Sequence, residues 1–194
     1  YGVTDFEVPD GVTQISTGAF AGCDKLESVK IGKKVQQIGD FAFQLCTALT
    51  KVEFVADCAL TYIGQRAFYG DSALVSVVLP AKLATLDNQA FLNCSALETV
   101  NMPSSLSSLG SDVFKSTAIV DKQKEENAEL YYVGNWVVGC DAQNLYNKVD
   151  VIADAENTSY EKTLIIKANT VGIAAYAFSS FEKLTLVNMP ATVK

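Results

Sequence analysis

Residues 83–103 read LATLDNQAFLNCSALETVNMP, and this arrangement of apolar residues decides the fold of the chain. Aliphatic residues lie five and eight positions before Phe91 and six and nine positions after it. Similar spacings surround an Ala-Phe dipeptide, once Val-Phe, elsewhere in the chain, with the phenylalanines at Phe20, Phe43, Phe68, Phe91, Phe114 and Phe178. Successive intervals are 23, 25, 23, 23 and 64 residues. A unit of about 23 residues therefore repeats along the sequence.

This unit is too short to close a hydrophobic core by itself, so it buries its apolar side by stacking on the next unit. Apolar and polar residues alternate at 99–102, which is typical of a short strand with Val100 and Met102 inward. The segment at 35–38 indicates a second short strand on the opposite wall, and the Ala-Phe pair is expected on a single helical turn. The sequence predicts a β-rich α/β repeat solenoid with a parallel sheet on one face and short strands and helical turns on the other.

The consensus Val-x-x-Ile-x-x-x-Ala-Phe-x-x-Cys-x-x-Leu-x-x-Val-x-Ile-Pro resembles the BspA-like class of leucine-rich repeats, found mainly in bacterial surface proteins. The resemblance covers residues 3–118 and 164–193. Tyr132, Gly134 and Trp136, followed by TVGIAAYAF at 170–178, are similar to an interruption seen in that family. The resemblance implies a leucine-rich-repeat arc, or horseshoe, used for adhesion or ligand binding, and it implies no catalytic residues.

The spacing predicts one solenoid domain over residues 1–194, cut from a longer array or pairing its open ends with a neighbour. Regular repeats are expected over 1–118, an irregular island over 119–163 and resumed repeats over 164–194. Within the island, the polar stretch 115–129 predicts a solvated loop or short helix. A Gly-Asn turn between two β-rich runs predicts a β-hairpin near 130–138. Two extra residues within 55–59 indicate a bulge at a sheet edge or, alternatively, a loop that contacts a ligand.

Composition excludes several classes of function. The sequence has no His, which Ser-His-Asp triads, Cys-His pairs and His-ligated zinc sites require. Arg66 is the only arginine, and a net charge of −7 repels nucleic acid. No apolar run reaches the length of about 18 residues that indicates a membrane span. We therefore expect no enzyme activity, cofactor, metal site, nucleic-acid partner or membrane insertion. The carboxylate pairs Glu125-Glu126 and Asp154-Glu156 lack the cleft that a glycosidase needs.

The outward residues of the main sheet are the first candidate binding surface, because this face of a leucine-rich horseshoe is wide, rigid and free of loops. We call it the outer sheet face. Its candidate ligand-binding residues are Ser28, Lys30, Lys51, Glu53, Ser76, Val78, Thr99, Asn101, Leu186 and Asn188, and Asp5 and Glu7 continue it. Its charges are mixed and aromatic residues are few, so a plain solvated sheet surface is the alternative for each residue.

The second candidate is an aromatic group formed by Tyr131, Tyr132 and Trp136, with Tyr146 and Tyr160 further along the chain. Tyr and Trp suit a platform for a protein or a sugar. The alternative is that these rings pack the hairpin onto the solenoid. Because Trp136 alternates with a valine along the strand, we expect one of the two to face inward.

Three of the five cysteines, Cys23, Cys46 and Cys94, share the position three residues after the repeat phenylalanine, and Asp71 and Thr117 replace them in other units. A stacked ladder at an interior position predicts small, buried, unreactive thiols. Side chains in adjacent turns keep their Cβ atoms further apart than the disulfide optimum of about 3.8 Å, so free thiols are expected.

The resemblance implies an extracellular or cell-surface anchored protein that binds a protein or glycan of a host or neighbouring cell and mediates adhesion. Two alternatives remain open. The repeats are a structural spacer with no ligand of their own, or they accompany a catalytic domain that lies outside this segment.

Overall fold

The computed structural model of the protein describes residues 2–126, 128–141, 163–179 and 186–193. Within these ranges the chain is a β-solenoid with two ladders of mostly parallel strands, as predicted. The first ladder consists of β1 (Asp5–Glu7), β3 (Ser28–Ile31), β5 (Lys51–Phe54), β7 (Ser76–Val78), β9 (Thr99–Asn101), β13 (Thr163–Ile165) and β15 (Leu186–Asn188). The second ladder consists of β2 (Gln14–Ile15), β4 (Gln37–Ile38), β6 (Tyr62–Ile63), β8 (Thr85–Leu86) and β10 (Ser108–Leu109).

Strands of the first ladder align one repeat apart, without slippage. Val29 lies opposite Phe6 on one side and Val52 on the other, and Val77 lies opposite Val100. The four valines are buried, whereas the residues that alternate with them are exposed or half-buried. This confirms the predicted alternation, because side chains one residue apart on a strand point to opposite faces.

The first ladder is interrupted where one repeat is two residues longer. Strands β1, β3 and β5 form one sheet, β7 and β9 form another, and β13 pairs with β15, while the second ladder runs unbroken from β2 to β10. The extra residues form a tight turn after β5, in which the N–H of Cys58 donates to the carbonyl of Val55 and Asp57 has a φ of +58°. The insertion therefore lies beside a break in the sheet.

The Ala-Phe segments are successive tight turns instead of the single helical turns that we expected. The N–H of Phe43 donates to the carbonyl of Ala67 in the next repeat, whereas that of Ala42 donates three residues back within its own turn. Phe41 and Leu45, two residues before and after Phe43, have φ values of +58° and +60°. Left-handed residues at these positions prevent a helix, and they let alternate amides bond to the neighbouring turn.

Stacked phenylalanine rings run through the interior. Adjacent rings have centroids 4.9 to 5.8 Å apart and planes within 6° of parallel. The stack consists of Phe20, Phe43, Phe68, Phe91 and Phe114. Each of the five repeats before the island thus contributes one ring to a continuous core, as stacking repeats require.

The island contains the predicted hairpin. Strands β11 (Leu130–Val133) and β12 (Trp136–Cys140) pair antiparallel around a Gly-Asn turn. Strand β12 also pairs in parallel with β14 (Gly172–Ile173), where the regular pattern resumes. The hairpin is therefore joined by main-chain hydrogen bonds to the repeat that follows the island.

A helix precedes the hairpin, in the polar segment that predicted a loop or a short helix. Helix α1 (Ala118–Glu125) is held to the hairpin by Gln123. The side-chain amide of Gln123 donates to the carbonyl of Tyr132 and accepts the N–H of Tyr132, at 2.9 and 2.8 Å. Two opposed hydrogen bonds from one side chain imitate the pairing of a neighbouring strand.

Residues 142–162 lie outside the described ranges, so the boundaries of the island stay a prediction. The same holds for Tyr146 and Tyr160 and for the carboxylate pair Asp154-Glu156. In the resumed repeat, Leu164 and Ile166 are buried and Ile165 between them faces outward, which continues the strand alternation.

Candidate functional site

The break between β5 and β7 separates two parts of the outer sheet face. The charged part lies on β1, β3 and β5, and the uncharged part lies on β7 and β9. In the charged part, the strand register places Glu7, Lys30 and Glu53 in one row. The Lys30 ammonium lies 2.9 Å from the Glu7 carboxylate, and that of Lys51 lies 2.8 Å from the Glu53 carboxylate. The hydrogen bond to Glu7 raises the pKa of Lys30, and the one from Lys51 lowers the pKa of Glu53. Opposite charges thus satisfy each other on this surface.

Ser28 belongs to the same charged part and is also engaged. Its hydroxyl donates to the Asp5 carboxylate on the neighbouring strand. The two side chains lie directly opposite each other in the β1–β3 pair. Ser28 therefore completes a polar network that runs across the strands.

The uncharged part of the outer sheet face is more apolar than the sequence pattern suggested. Val78 is 71% exposed, and Val75, immediately before β7, is 49% exposed. Asn101 lies opposite Val78, and its side-chain oxygen accepts the N–H of Leu79 at 2.6 Å. The candidate residues of this part are Ser76, Val78, Thr99 and Asn101. Asn101 caps the end of β7, whereas Val75 and Val78 leave apolar surface exposed to solvent.

The third part of the outer sheet face lies on β13 and β15. Asn188 is exposed and lies opposite Ile165, which is 73% exposed. Leu186 begins β15 and lies opposite Thr163 in the strand register. Sequence reasoning missed two exposed residues. Ile165 has an outward position on β13, which was a usable signal, whereas Val75 precedes β7 and strand alternation does not predict its exposure.

A groove of about 430 Å³ opens beside the break in the sheet. The two-residue insertion forms one wall with Val55 and Asp57, and Val78 and Lys82 lie on the other side. Cys58 also lines the groove. Its thiol donates to the carbonyl of Gly32, and burial raises its pKa, so the thiol stays protonated. The insertion and the uncharged part of the outer sheet face thus border one concave surface.

The aromatic group is mainly a packing element. Tyr131 and Trp136 are 6% and 5% exposed, and Tyr132 is half-buried. The Trp136 indole lies on Gly172 of β14, where any Cβ atom would overlap the ring. Val137 is also fully buried, so both faces of β12 are covered at these two positions, although adjacent side chains on a strand point to opposite faces. The Trp136 and Tyr131 rings are therefore not available as an open platform, and Tyr132 is available only in part.

Tyr131 and Tyr132 each have further contacts. The Tyr131 hydroxyl donates to the Asp141 carboxylate at 3.3 Å, and burial raises the pKa of Tyr131 to about 12. The Lys167 ammonium lies 4.3 Å from the centre of the Tyr132 ring, and the Tyr132 hydroxyl accepts the N–H of Lys167. The first contact links the two strands at the open end of the hairpin, and the second fastens the hairpin to the segment after β13.

A second groove, of about 440 Å³, lies between the last regular repeat and the hairpin turn. Met102 and Leu106 form its apolar side, and Asn135, Trp136 and Val171 face them. The groove places the exposed Asn135 next to an apolar wall.

The thiol ladder is largely as predicted. Cys46 and Cys94 are fully buried free thiols, and Cys46 has its pKa raised to about 12 by burial. Cys23 is a free thiol as well, but it is exposed because no earlier turn of the described chain covers it. Among the described residues, no group of three or more His, Cys, Asp or Glu side chains is placed to hold a metal ion. No helix in the described ranges has the length and hydropathy to span a membrane.

Similar solved structures include a leucine-rich repeat protein from Eubacterium ventriosum (19% identity, TM-score 0.59, covering 98% of this chain and 49% of that one). A leucine rich cell surface protein from Faecalibacterium prausnitzii shares 20% identity with a TM-score of 0.58, covering 98% of this chain and 62% of that one. A leucine-rich repeat protein from Bacteroides ovatus shares 26% identity with a TM-score of 0.47, covering 59% of this chain and 35% of that one.

The chain spans less than two thirds of the length of each of these three proteins. Comparison with the curated proteins found no match. The sequence profile described as the BspA type leucine rich repeat region matches residues 2–120 in six copies. This chain therefore belongs to the BspA-type leucine-rich repeat family, whose members are non-catalytic repeat proteins.

Proposed function

We propose that this chain is an extracellular, cell-surface module that binds a protein or glycan of a host or neighbouring cell through the outer sheet face. The observation that supports this is the uncharged part of that face, where Val78 is exposed and lines the groove at the sheet break. Family membership and the fold shared with a leucine rich cell surface protein support a location at the surface.

Desolvation favours the uncharged part over the charged part as the contact region. A partner that covers Val78 gains about 25 cal/mol for each Å² of apolar surface removed from water. A partner that covers the charged part must desolvate the Lys30–Glu7 and Lys51–Glu53 pairs, whose mutual attraction already satisfies them. Adhesion by the uncharged part therefore depends weakly on salt, since no single-sign field steers the partner.

A structural spacer without its own ligand is the second candidate function. The mutually satisfied charges of the outer sheet face favour it, because they leave few groups in that region in need of a partner. A third arrangement, repeats that accompany a catalytic domain outside this segment, is compatible with the partial coverage of the longer relatives.

The test is binding of the purified chain to a panel of extracellular-matrix proteins and a glycan array, followed by surface plasmon resonance on each hit. We expect Val78→Glu to weaken binding at least tenfold, whereas the matched variant Lys51→Glu on the charged part retains it. Asn135→Lys probes the hairpin groove, and a loss confined to that variant moves the site there. If the unmodified chain binds nothing in the panel, the spacer function replaces the proposal.

A further inference from the structure

Asp71 interrupts the thiol ladder with a fully buried carboxyl group. It occupies the repeat position held by Cys46 in the preceding turn and by Cys94 in the following turn, and its exposed fraction is 0%. The N–H of Cys46 donates to the Asp71 Oδ1 atom at 2.9 Å. The other carboxyl oxygen, Oδ2, is buried and has no hydrogen-bond partner within the described part of the chain.

Among the residues that the structure describes, no charge of opposite sign acts on Asp71. The titratable groups that face it are the thiols of Cys46, from the turn before, and Cys94, from the turn after. The Cys94 thiol donates to the carbonyl of Phe68 at 2.9 Å, so it is already used. A single N–H donor does not offset the loss of water around a carboxylate, and buried charges without a partner are costly.

Burial therefore favours the neutral acid. It raises the pKa of Asp71 from an ordinary value near 3.8 to about 8, and the hydrogen bond from Cys46 opposes this only in part. The neutral carboxyl group is similar in size to the cysteine side chains above and below it, so it fits the ladder as they do. The ionised form places a charge in the interior, between the buried thiols of Cys46 and Cys94.

We propose that Asp71 makes the cohesion of the solenoid depend on protons, because the neighbouring turns stack closely around the neutral acid and are loosened when it ionises. In the unfolded chain this carboxyl ionises near pH 4, whereas in the folded chain it keeps its proton to about pH 8. Its contribution is thus fully present below pH 4 and is lost as the pH rises through that window. Between these limits the native state binds one more proton, so the unfolding equilibrium constant rises tenfold per pH unit.

The experiment is urea unfolding of the full chain between pH 5 and pH 9, followed by circular dichroism. We compare the unmodified chain with Asp71→Cys, which restores the ladder residue, and with Asp71→Asn. The control is Asp24→Asn, which removes an exposed carboxylate. In the unmodified chain the unfolding equilibrium constant should rise close to tenfold per pH unit because of Asp71. We expect Asp71→Cys and Asp71→Asn to abolish this rise, and Asp24→Asn to keep it. A double variant, Asp71→Cys with Cys94→Asp, moves the carboxyl to the next turn and should restore the pH dependence of the unfolding equilibrium.

Equal pH slopes in the unmodified chain and Asp71→Cys overturn the proposal. If the variants do not fold, the carbon-13 shift of the Asp71 carboxyl in the unmodified chain decides the matter. A midpoint near pH 8 supports the proposal, and a midpoint below pH 5 refutes it.

Discussion

Replacing Phe68 tests whether the stacked rings hold the repeats together. Phe68 is 1% exposed and lies between Phe43 and Phe91, with ring centroids at 5.2 and 5.1 Å. Phe68→Ala removes the ring and leaves a cavity, which costs about 3–5 kcal/mol in the free energy of unfolding. Phe68→Leu nearly fills the same volume but loses two ring–ring contacts of about 0.5–1.5 kcal/mol each, so we expect a cost of about 1–3 kcal/mol.

The assay is urea and thermal unfolding followed by circular dichroism. For a chain of this size each kcal/mol corresponds to about 2–4 °C, so Phe68→Ala should lower the midpoint by about 6–20 °C. Val78→Ala, on the exposed part of the outer sheet face, is the matched control and should change stability by less than about 0.5 kcal/mol. If Phe68→Leu costs no more than Val78→Ala, then ring stacking does not stabilise the solenoid and the reasoning fails.

Two glycine variants test close contacts in the fold. Gly172→Ala places a methyl group in the Trp136 indole, so it should lower stability by about 1–3 kcal/mol and shift the emission of this only tryptophan to longer wavelength. An unchanged emission maximum and midpoint would contradict the packing. Gly70→Ala puts a side chain at a φ of +76° and 2.7 Å from the Leu45 Cδ2 atom, and should lower stability by about 1–2 kcal/mol. Pairing it with Leu45→Ala should recover part of that loss, and no recovery would argue against the contact.

The sequence predicted the repeats far better than it predicted the surfaces. The positions five residues before and nine residues after the repeat phenylalanine are apolar in successive units. The valines at the second of these positions are buried as that pattern requires, namely Val29, Val52, Val77 and Val100. The turns around Ala-Phe were harder to predict. An Ala-Phe pair suits a helix, and nothing in the local sequence around Leu45 demands its positive φ, which the bonds to the next turn stabilise.

In the candidate site, too, the sequence predicted some features and distant contacts determined the others. Outward positions such as Lys51 and Val78 follow from strand alternation, but their chemistry differs because a sheet break separates them. Trp136 suggested a binding platform from composition alone, and the parallel pairing of β12 with β14 buried it against Gly172. A residue type indicates what a side chain can bind, whereas its exposure depends on segments that are distant in sequence.

The sequence by itself determined the solenoid, the repeat length, the inward residues and the absence of histidine chemistry, because a period of about 23 residues constrains every unit in the same way. The tertiary structure alone decided where the sheet breaks and that both faces of β12 are covered at Trp136 and Val137. It also decided that Asp71 is a buried carboxyl, one of whose oxygens has no hydrogen-bond partner among the described residues. These features arise where one unit departs from the pattern. Their consequences depend on which atoms the adjacent turns bring into contact, and a single unit's sequence does not contain that information.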